Sequence, residues 1–156
     1  MSNSGRVIRP RFDPVARPFH EITDEQFDAA FERPLQDTIA ELQDAYRSGV
    51  KRMVVVVPTT AMSGGNRYAH TAAAAEAIRV LVKSAARQWG ASGVTVNAIA
   101  VDPASVLDDV HVAGPVSIAP RALGSADPRA LIEFLCSEAA GDVTGQTFNV
   151  DGGQLM

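Results

Sequence analysis

The sequence is poor in cysteine and has no long apolar run. Cys136 is the only cysteine among 156 residues, so no disulfide is expected within the chain, and a reducing, cytoplasmic location is favoured. The longest unbroken apolar run is Met53–Pro58, whereas a membrane-spanning helix needs about 20 apolar residues. The single cysteine and the lack of a long apolar run predict a cytoplasmic protein without a membrane segment.

Basic residues do not outnumber acidic ones. Fourteen Lys and Arg stand against eighteen Asp and Glu, which gives a formal net charge of −4. A protein that coats nucleic-acid phosphates needs a surplus of positive charge. No nucleic-acid partner is therefore expected. The ligand spacings HExxH and CxxC are also missing, so no metal site is predicted.

The glycines do not form a phosphate-binding loop. After Gly5 the next glycine is Gly49, and no glycines fall at the spacing GxGxxG or GxxxxGK(S/T). Those spacings let the backbone approach a pyrophosphate at the start of a helix. We therefore predict no cofactor-binding residues and no dinucleotide site formed by this chain alone.

Prolines divide the chain into segments. Within residues 1–20 the prolines are dense and alternate with arginines, which predicts an extended arm with a short strand at 6–9. Pro34 lies within a helical pattern and predicts a kink or break near Arg33, at a cost of about 3 kcal/mol. The proline- and glycine-containing segment 103–125 lacks periodicity and is typical of a lid loop.

Two amphipathic helices are predicted, at 23–48 and 71–89. The first begins with a capping box, in which Thr23 and Gln26 satisfy each other's backbone N–H groups. Its apolar stripe recurs at steps of three and four residues. The stripe consists of Phe27, Phe31, Leu35, Ile39, Leu42 and Tyr46. The apolar surface of the two helices exceeds what a small sheet covers, which predicts contact with another chain.

Strands are predicted at 53–57, 94–99 and 146–150, and a third helix is predicted at 127–138. Strands that alternate with helices form right-handed crossovers and a parallel sheet. The predicted fold of the domain at 21–156 is therefore α/β, with a parallel sheet of three to four strands flanked by helices.

Segments 19–27, 94–99 and 144–153 carry a family resemblance. They are similar to the start of the fourth helix, the sixth strand and the carboxy-terminal signature of the short-chain dehydrogenase/reductase family. The resemblance covers residues 19–153 and implies a partial Rossmann-like sheet. The family's glycine-rich loop and first three strands have no counterpart, so the chain resembles a truncated carboxy-terminal half.

The catalytic residues implied by this resemblance are incomplete. The family's tyrosine acid/base matches Tyr68, and its serine falls near Thr60. The family's lysine, whose charge lowers the tyrosine pKa, is replaced by Ala72, and its asparagine by Pro34. Tyr68 and Thr60 are thus predicted as vestigial catalytic residues, whereas His70, without a carboxylate partner in sequence, is expected at the surface or as a helix cap.

The leading functional hypothesis is a non-catalytic subunit, or pseudoenzyme. In the family, the helices that match 23–48 and 71–89 form a four-helix interface between subunits. The resemblance therefore implies a hetero-oligomer with an active family subunit that holds NAD(P), and otherwise a homo-oligomer. The alternatives are a cofactor-free enzyme and a homo-oligomer that binds a small ligand in a pocket around Tyr68.

Overall fold

The computed structural model describes residues 5–109, 111, 113 and 126–155. Four strands in that part of the chain form one parallel sheet in sequence order. They are β1 (Arg6–Ile8), β2 (Arg52–Pro58), β3 (Thr95–Val101) and β4 (Thr147–Val150). The predicted α/β fold with a parallel sheet is confirmed.

Helices cover both faces of the sheet. They are α1 (Asp24–Arg47), the short α2 (Thr60–Ser63), α3 (Ala69–Trp89) and α4 (Arg129–Leu135). Helices α1 and α3 share one apolar core with Met53, Val55 and Val57, while α4 packs on the opposite side with Val54 and Val56. Every residue of β2 is buried, because successive side chains of a strand point to opposite faces and both faces are covered.

The amino-terminal segment belongs to this same sheet. Strand β1 pairs with β2 in parallel, with Val7 opposite Val54. Ile8 is fully buried and Phe12 is buried in the core that α1 and α3 share. The extended arm predicted for 1–20 therefore contributes its 6–8 strand and an anchoring aromatic side chain to the domain.

Helix α1 begins as the sequence predicts and runs without the expected break. The N–H of Gln26 donates to the Thr23 hydroxyl at 3.2 Å, and the N–H of Thr23 donates to the Gln26 side chain at 3.2 Å. The expected break near Arg33 is wrong, because the helix continues through Pro34. Pro34 is itself buried, and the Thr38 hydroxyl donates to its carbonyl at 2.6 Å.

The buried face of α1 shares only Leu42 with the predicted apolar stripe. Its buried residues are Ala30, Pro34, Thr38, Leu42 and Ala45. Small side chains let helices approach closely, and the facing surface of α3 is rich in buried alanines. The bulky members of the stripe lie beside this contact, and Phe27, Ile39 and Tyr46 are 39, 38 and 37% exposed.

Most of the predicted lid loop lies outside the described residues, which include only 103–109, 111 and 113 of the segment 103–125. The described part begins with a 3-10 turn, Pro103–Ser105, in which the Asp102 carboxylate accepts from the Ala104 N–H. Among the described residues, no helix has the length and apolar character needed to cross a membrane.

Candidate functional site

The structure brings Thr60 and Tyr68 together at the carboxyl end of the sheet. Thr60 is the first residue of α2, directly after β2, and Tyr68 precedes the first turn of α3. Gly65 lies between them: a Cβ there would come within 2.9 Å of the Tyr68 Cβ and 3.1 Å of the Thr60 Cγ2. The tight turn therefore needs glycine, and no side chain separates the two residues.

The hydroxyl of Tyr68 is engaged by backbone. Tyr68 is fully buried, and its oxygen accepts from the N–H of Asp109 at 3.0 Å and donates to the Asp109 carbonyl at 3.4 Å. Burial raises the pKa of Tyr68 above its ordinary value of 10.0, and the carboxylates of Asp109 and Asp108 add to this effect. The neutral phenol is thus the favoured form.

The residue one helical turn after Tyr68 is Ala72, which is buried and donates its N–H to the Tyr68 carbonyl at 2.8 Å. An ammonium at this position would stabilise a phenolate, and a methyl group does not. Lys83 lies further along α3, about 16 Å away along the helix axis, and is exposed. The position that would activate Tyr68 therefore holds no cation, and Lys83 is too distant to replace it.

The hydroxyl group of Thr60 is buried and, in the part of the chain that the structure describes, unpaired. Its side chain is fully buried, and its hydroxyl oxygen has no hydrogen-bond partner among the described residues. Leaving a buried hydroxyl unpaired costs about 1–3 kcal/mol. Tyr68 and Thr60 thus share one place in the fold without a hydrogen bond between their hydroxyls, and their catalytic role stays a prediction.

His70 lies in the interior, so the expectation of a surface or capping histidine is wrong. Its Nε2 is 3.3 Å from an Arg17 guanidinium nitrogen and 3.9 Å from a carboxylate oxygen of Asp13. The same nitrogen is 3.2 Å from the Val15 carbonyl, so it accepts from Arg17 in one tautomer of the ring and donates to Val15 in the other. Burial lowers the pKa of His70 below 6.5, and Asp13 opposes this shift. The sequence could not reveal that Asp13, far away in the chain, is its partner.

His70 should make stability depend on pH. The unfolded state takes up a proton near pH 6.5, whereas the folded state takes it up at lower pH. The stabilisation that buried, neutral His70 provides is therefore fully present above pH 6.5 and is lost as the pH falls toward the pKa of the folded state. Urea unfolding between about pH 7.5 and 5.5 should show a flatter profile for His70→Gln than for the wild type.

The exposed histidine provides the control for this measurement. His20→Gln removes a side chain that is 83% exposed and should retain the wild-type pH profile. Identical profiles for His70→Gln and His20→Gln would contradict the role given to burial of His70.

A buried polar network joins the carboxyl ends of β2, β3 and β4. The Gln154 amide donates to the Asp102 carboxylate at 2.7 Å, and the Thr59 hydroxyl donates to the Gln154 oxygen at 3.4 Å. The Asp151 carboxylate accepts from the N–H of Gly153 at 3.0 Å. Sequence reasoning identified the turn after the last strand but missed this network, since its members come from three distant segments.

The described residues do not fit a dinucleotide. In an open α/β sheet, backbone N–H groups of a glycine-rich turn receive the pyrophosphate at the carboxyl end of a strand. The turn after β1 is Arg9-Pro10-Arg11, where two long side chains replace glycines and the proline has no N–H. In the described part of the chain, β1 is an edge strand, so no described strand forms the second wall of such a crevice.

Comparison with known proteins places the chain in a family. A family model described as enoyl-(acyl carrier protein) reductase matches residues 7–154. The chain is 37% identical over 108 residues to the 3-oxoacyl-(acyl carrier protein) reductase of Haemophilus influenzae, covering 65% of this chain and 43% of that protein. It is 31% identical over 123 residues to the Synechocystis enzyme of the same name, covering 76% of this chain and 49% of that protein.

Solved structures agree at the level of the fold. Levodione reductase superposes with a TM-score of 0.75 at 19% identity, over 97% of this chain and 66% of that one. A short-chain dehydrogenase/reductase of Brucella melitensis also gives 0.75, at 22% identity, over 96% of this chain and 64% of that one. The chain belongs to the short-chain dehydrogenase/reductase family of oxidoreductases, and it spans about half the length of the curated relatives it matches.

Proposed function

We propose that this chain is a non-catalytic subunit that binds and supports an active, NAD(P)-dependent member of its own family. The observation that carries this proposal is the apolar flank of α1, which we define as Phe27, Phe31, Leu35, Ile39 and Tyr46. Three of these side chains are more than a third exposed. A contiguous apolar patch of this kind is typical of a surface that another protein covers.

The flank is continuous with α3. Tyr46 stacks on Trp89, with ring centroids 4.6 Å apart, and a groove between the helices is lined in part by Ile39 and Leu81. Val80 of α3 is 50% exposed. Two adjacent helices thus present one apolar surface, which suits helices of a second subunit, as the family resemblance implies.

The geometry around Tyr68 supports the non-catalytic part of the proposal. The backbone of Asp109 engages the phenol oxygen, and Ala72 stands where the family has its lysine. A general acid/base needs a pKa near the working pH, whereas burial moves the pKa of Tyr68 upward. Hydride transfer is therefore assigned to the partner, which supplies the NAD(P) site, and the single cysteine is consistent with a reducing, cytoplasmic location for the complex.

Co-expression with the dehydrogenases encoded by neighbouring genes tests the proposal. We expect one of them to co-purify in a fixed ratio, as measured by light scattering and native mass spectrometry. Ile39→Asp should weaken this complex at least about tenfold, because it places a charge in the apolar contact. Ala40→Asp adds the same charge to the adjacent, exposed residue of α1 and should leave the complex unchanged.

Two outcomes would contradict the hetero-oligomer. The first is a stable homo-oligomer, sensitive to Ile39→Asp, that retains none of these dehydrogenases. The second is stoichiometric uptake of NADH or NADPH by the isolated chain together with turnover of a carbonyl compound, which would make the chain an enzyme in its own right.

A further inference from the structure

A cavity of about 520 Å³ opens at the carboxyl end of β1, β2 and β3, and neither Tyr68 nor Thr60 lines it. Arginines provide its charge: Arg9, Arg11 and Arg129 all line it, and no acidic side chain does among the described residues. The apolar part of its wall comes from Pro10, Phe12, Val56, Val101 and Val106. The cavity therefore combines positive charge with an apolar wall.

Two of these arginines have no counter-charge in the part of the chain that the structure describes. Arg129 is neutralised by Asp127, whose carboxylate oxygen lies 2.6 Å from its guanidinium. The side chains of Arg9 and Arg11 form no ion pair or hydrogen bond with the described part of the chain, whereas Arg17 and Arg52 each have an acidic partner. The free positive charge of the cavity thus comes from Arg9 and Arg11.

The backbone explains why Arg9 and Arg11 line the same cavity. In an extended segment, residues i and i+2 lie on the same side, and Pro10 between them restricts the backbone to such a conformation. The segment is held at both ends, because Ile8 is fully buried in the sheet and Phe12 is buried in the core. Two like charges are therefore kept near each other next to an apolar wall.

We infer that this cavity binds a small organic oxyanion, a carboxylate or phosphate ester with a compact apolar body, between Arg9 and Arg11. Guanidinium groups match the paired oxygens of such anions, and an anion between them relieves the repulsion of the two arginines. The valines and Phe12 bury the apolar body, which adds affinity in proportion to the area removed from water. This inference is independent of the proposed subunit contact, since the apolar flank lies on α1.

Titration with benzoate and phenyl phosphate, followed by the chemical shifts of the protein at low salt, tests the inference. Benzyl alcohol has the apolar body without the charge, and inorganic phosphate has the charge without the body. We expect each of these two controls to bind at least about tenfold more weakly than the better probe. Preference for phenyl phosphate would identify a phosphate ester as the ligand class, and preference for benzoate a carboxylate.

Substitutions of single arginines test which of them bind the probe. Arg9→Gln and Arg11→Gln should each weaken the better probe about tenfold, whereas Arg129→Gln should weaken it less than about threefold, because Asp127 already neutralises that side chain. Arg47→Gln, on the exposed end of α1, is the matched control and should bind as the wild type does. The absence of saturable binding, or equal binding by the wild type and both cavity variants, would overturn the inference.

Discussion

Leu42→Asp is expected to lower the free energy of unfolding by about 3–5 kcal/mol, which is a large fraction of the stability of an ordinary domain. Leu42 is 3% exposed and belongs to the core that α1 and α3 share with the sheet. An aspartate there would bury a carboxylate among apolar side chains, without a partner. The variant should be largely unfolded at moderate urea concentrations.

Urea unfolding followed by circular dichroism measures this loss, with Ala40→Asp as the matched control. Ala40 is exposed on the same helix, so its substitution should change stability by no more than about 0.5 kcal/mol. Leu35→Asp should fall between the two, because Leu35 is only half-buried. Equal stabilities of the Leu42 and Ala40 variants would show that water reaches this face of α1.

Asp102→Ala is expected to cost about 2–4 kcal/mol and to loosen the carboxy-terminal segment. Its carboxylate accepts from the Gln154 amide at 2.7 Å and from the Ala104 N–H at 2.8 Å. Gln154 and Asp102 are both buried, so alanine leaves donors without an acceptor in the interior. The effect should extend to residues 151–155, since Gln154 ties that segment to the end of β3.

Hydrogen exchange at the Leu155 amide, which donates to Asp151 at 3.0 Å, reports on that segment. Exchange should be faster in Asp102→Ala and intermediate in Asp102→Asn, which retains the shape and one acceptor oxygen. Asp108→Ala removes an exposed carboxylate from the adjacent loop and should leave both exchange and stability unchanged. Unaltered exchange in Asp102→Ala would mean that the network does not hold the carboxyl end.

The two proposed surfaces lie on different parts of the fold. The apolar flank belongs to the helical layer of α1 and α3, whereas Arg9 and Arg11 lie beyond the end of β1. Substitutions more than about 10 Å apart without shared partners usually act additively. Ile39→Asp and Arg11→Gln thus provide separate tests of subunit contact and anion binding.

Local patterns were reliable where the responsible contact is itself local. The capping box joins Thr23 to Gln26, three residues away, and the structure contains it. The valine run of β2 indicates a strand covered on both faces, which is also observed. The expected break at Pro34 is wrong. The proline destabilises the helix locally, but the helix is long and packs against α3, and the local sequence pattern does not include that packing.

Contacts between distant segments could not be predicted from local sequence patterns. The periodicity of α1 predicts one apolar stripe of bulky residues, but the face that packs against the alanines of α3 consists mainly of small residues and shares only Leu42 with that stripe. His70 has no carboxylate partner nearby in sequence, whereas Asp13 and Arg17 both contact it in the fold. The hydrogen bond between Asp102 and Gln154 likewise joins residues 52 positions apart in the chain, with α4 and β4 between them.

The sequence by itself determined the order of helices and strands, the parallel α/β class and the family, because these follow from the spacing of neighbouring residues and from contiguous motifs. Only the tertiary structure decided which side of α1 stays exposed, that backbone atoms of Asp109 engage the Tyr68 hydroxyl, and that Arg9 and Arg11 line one cavity. The physical reason is that burial, pairing and pKa depend on which distant side chains share a space, and folding alone brings them together.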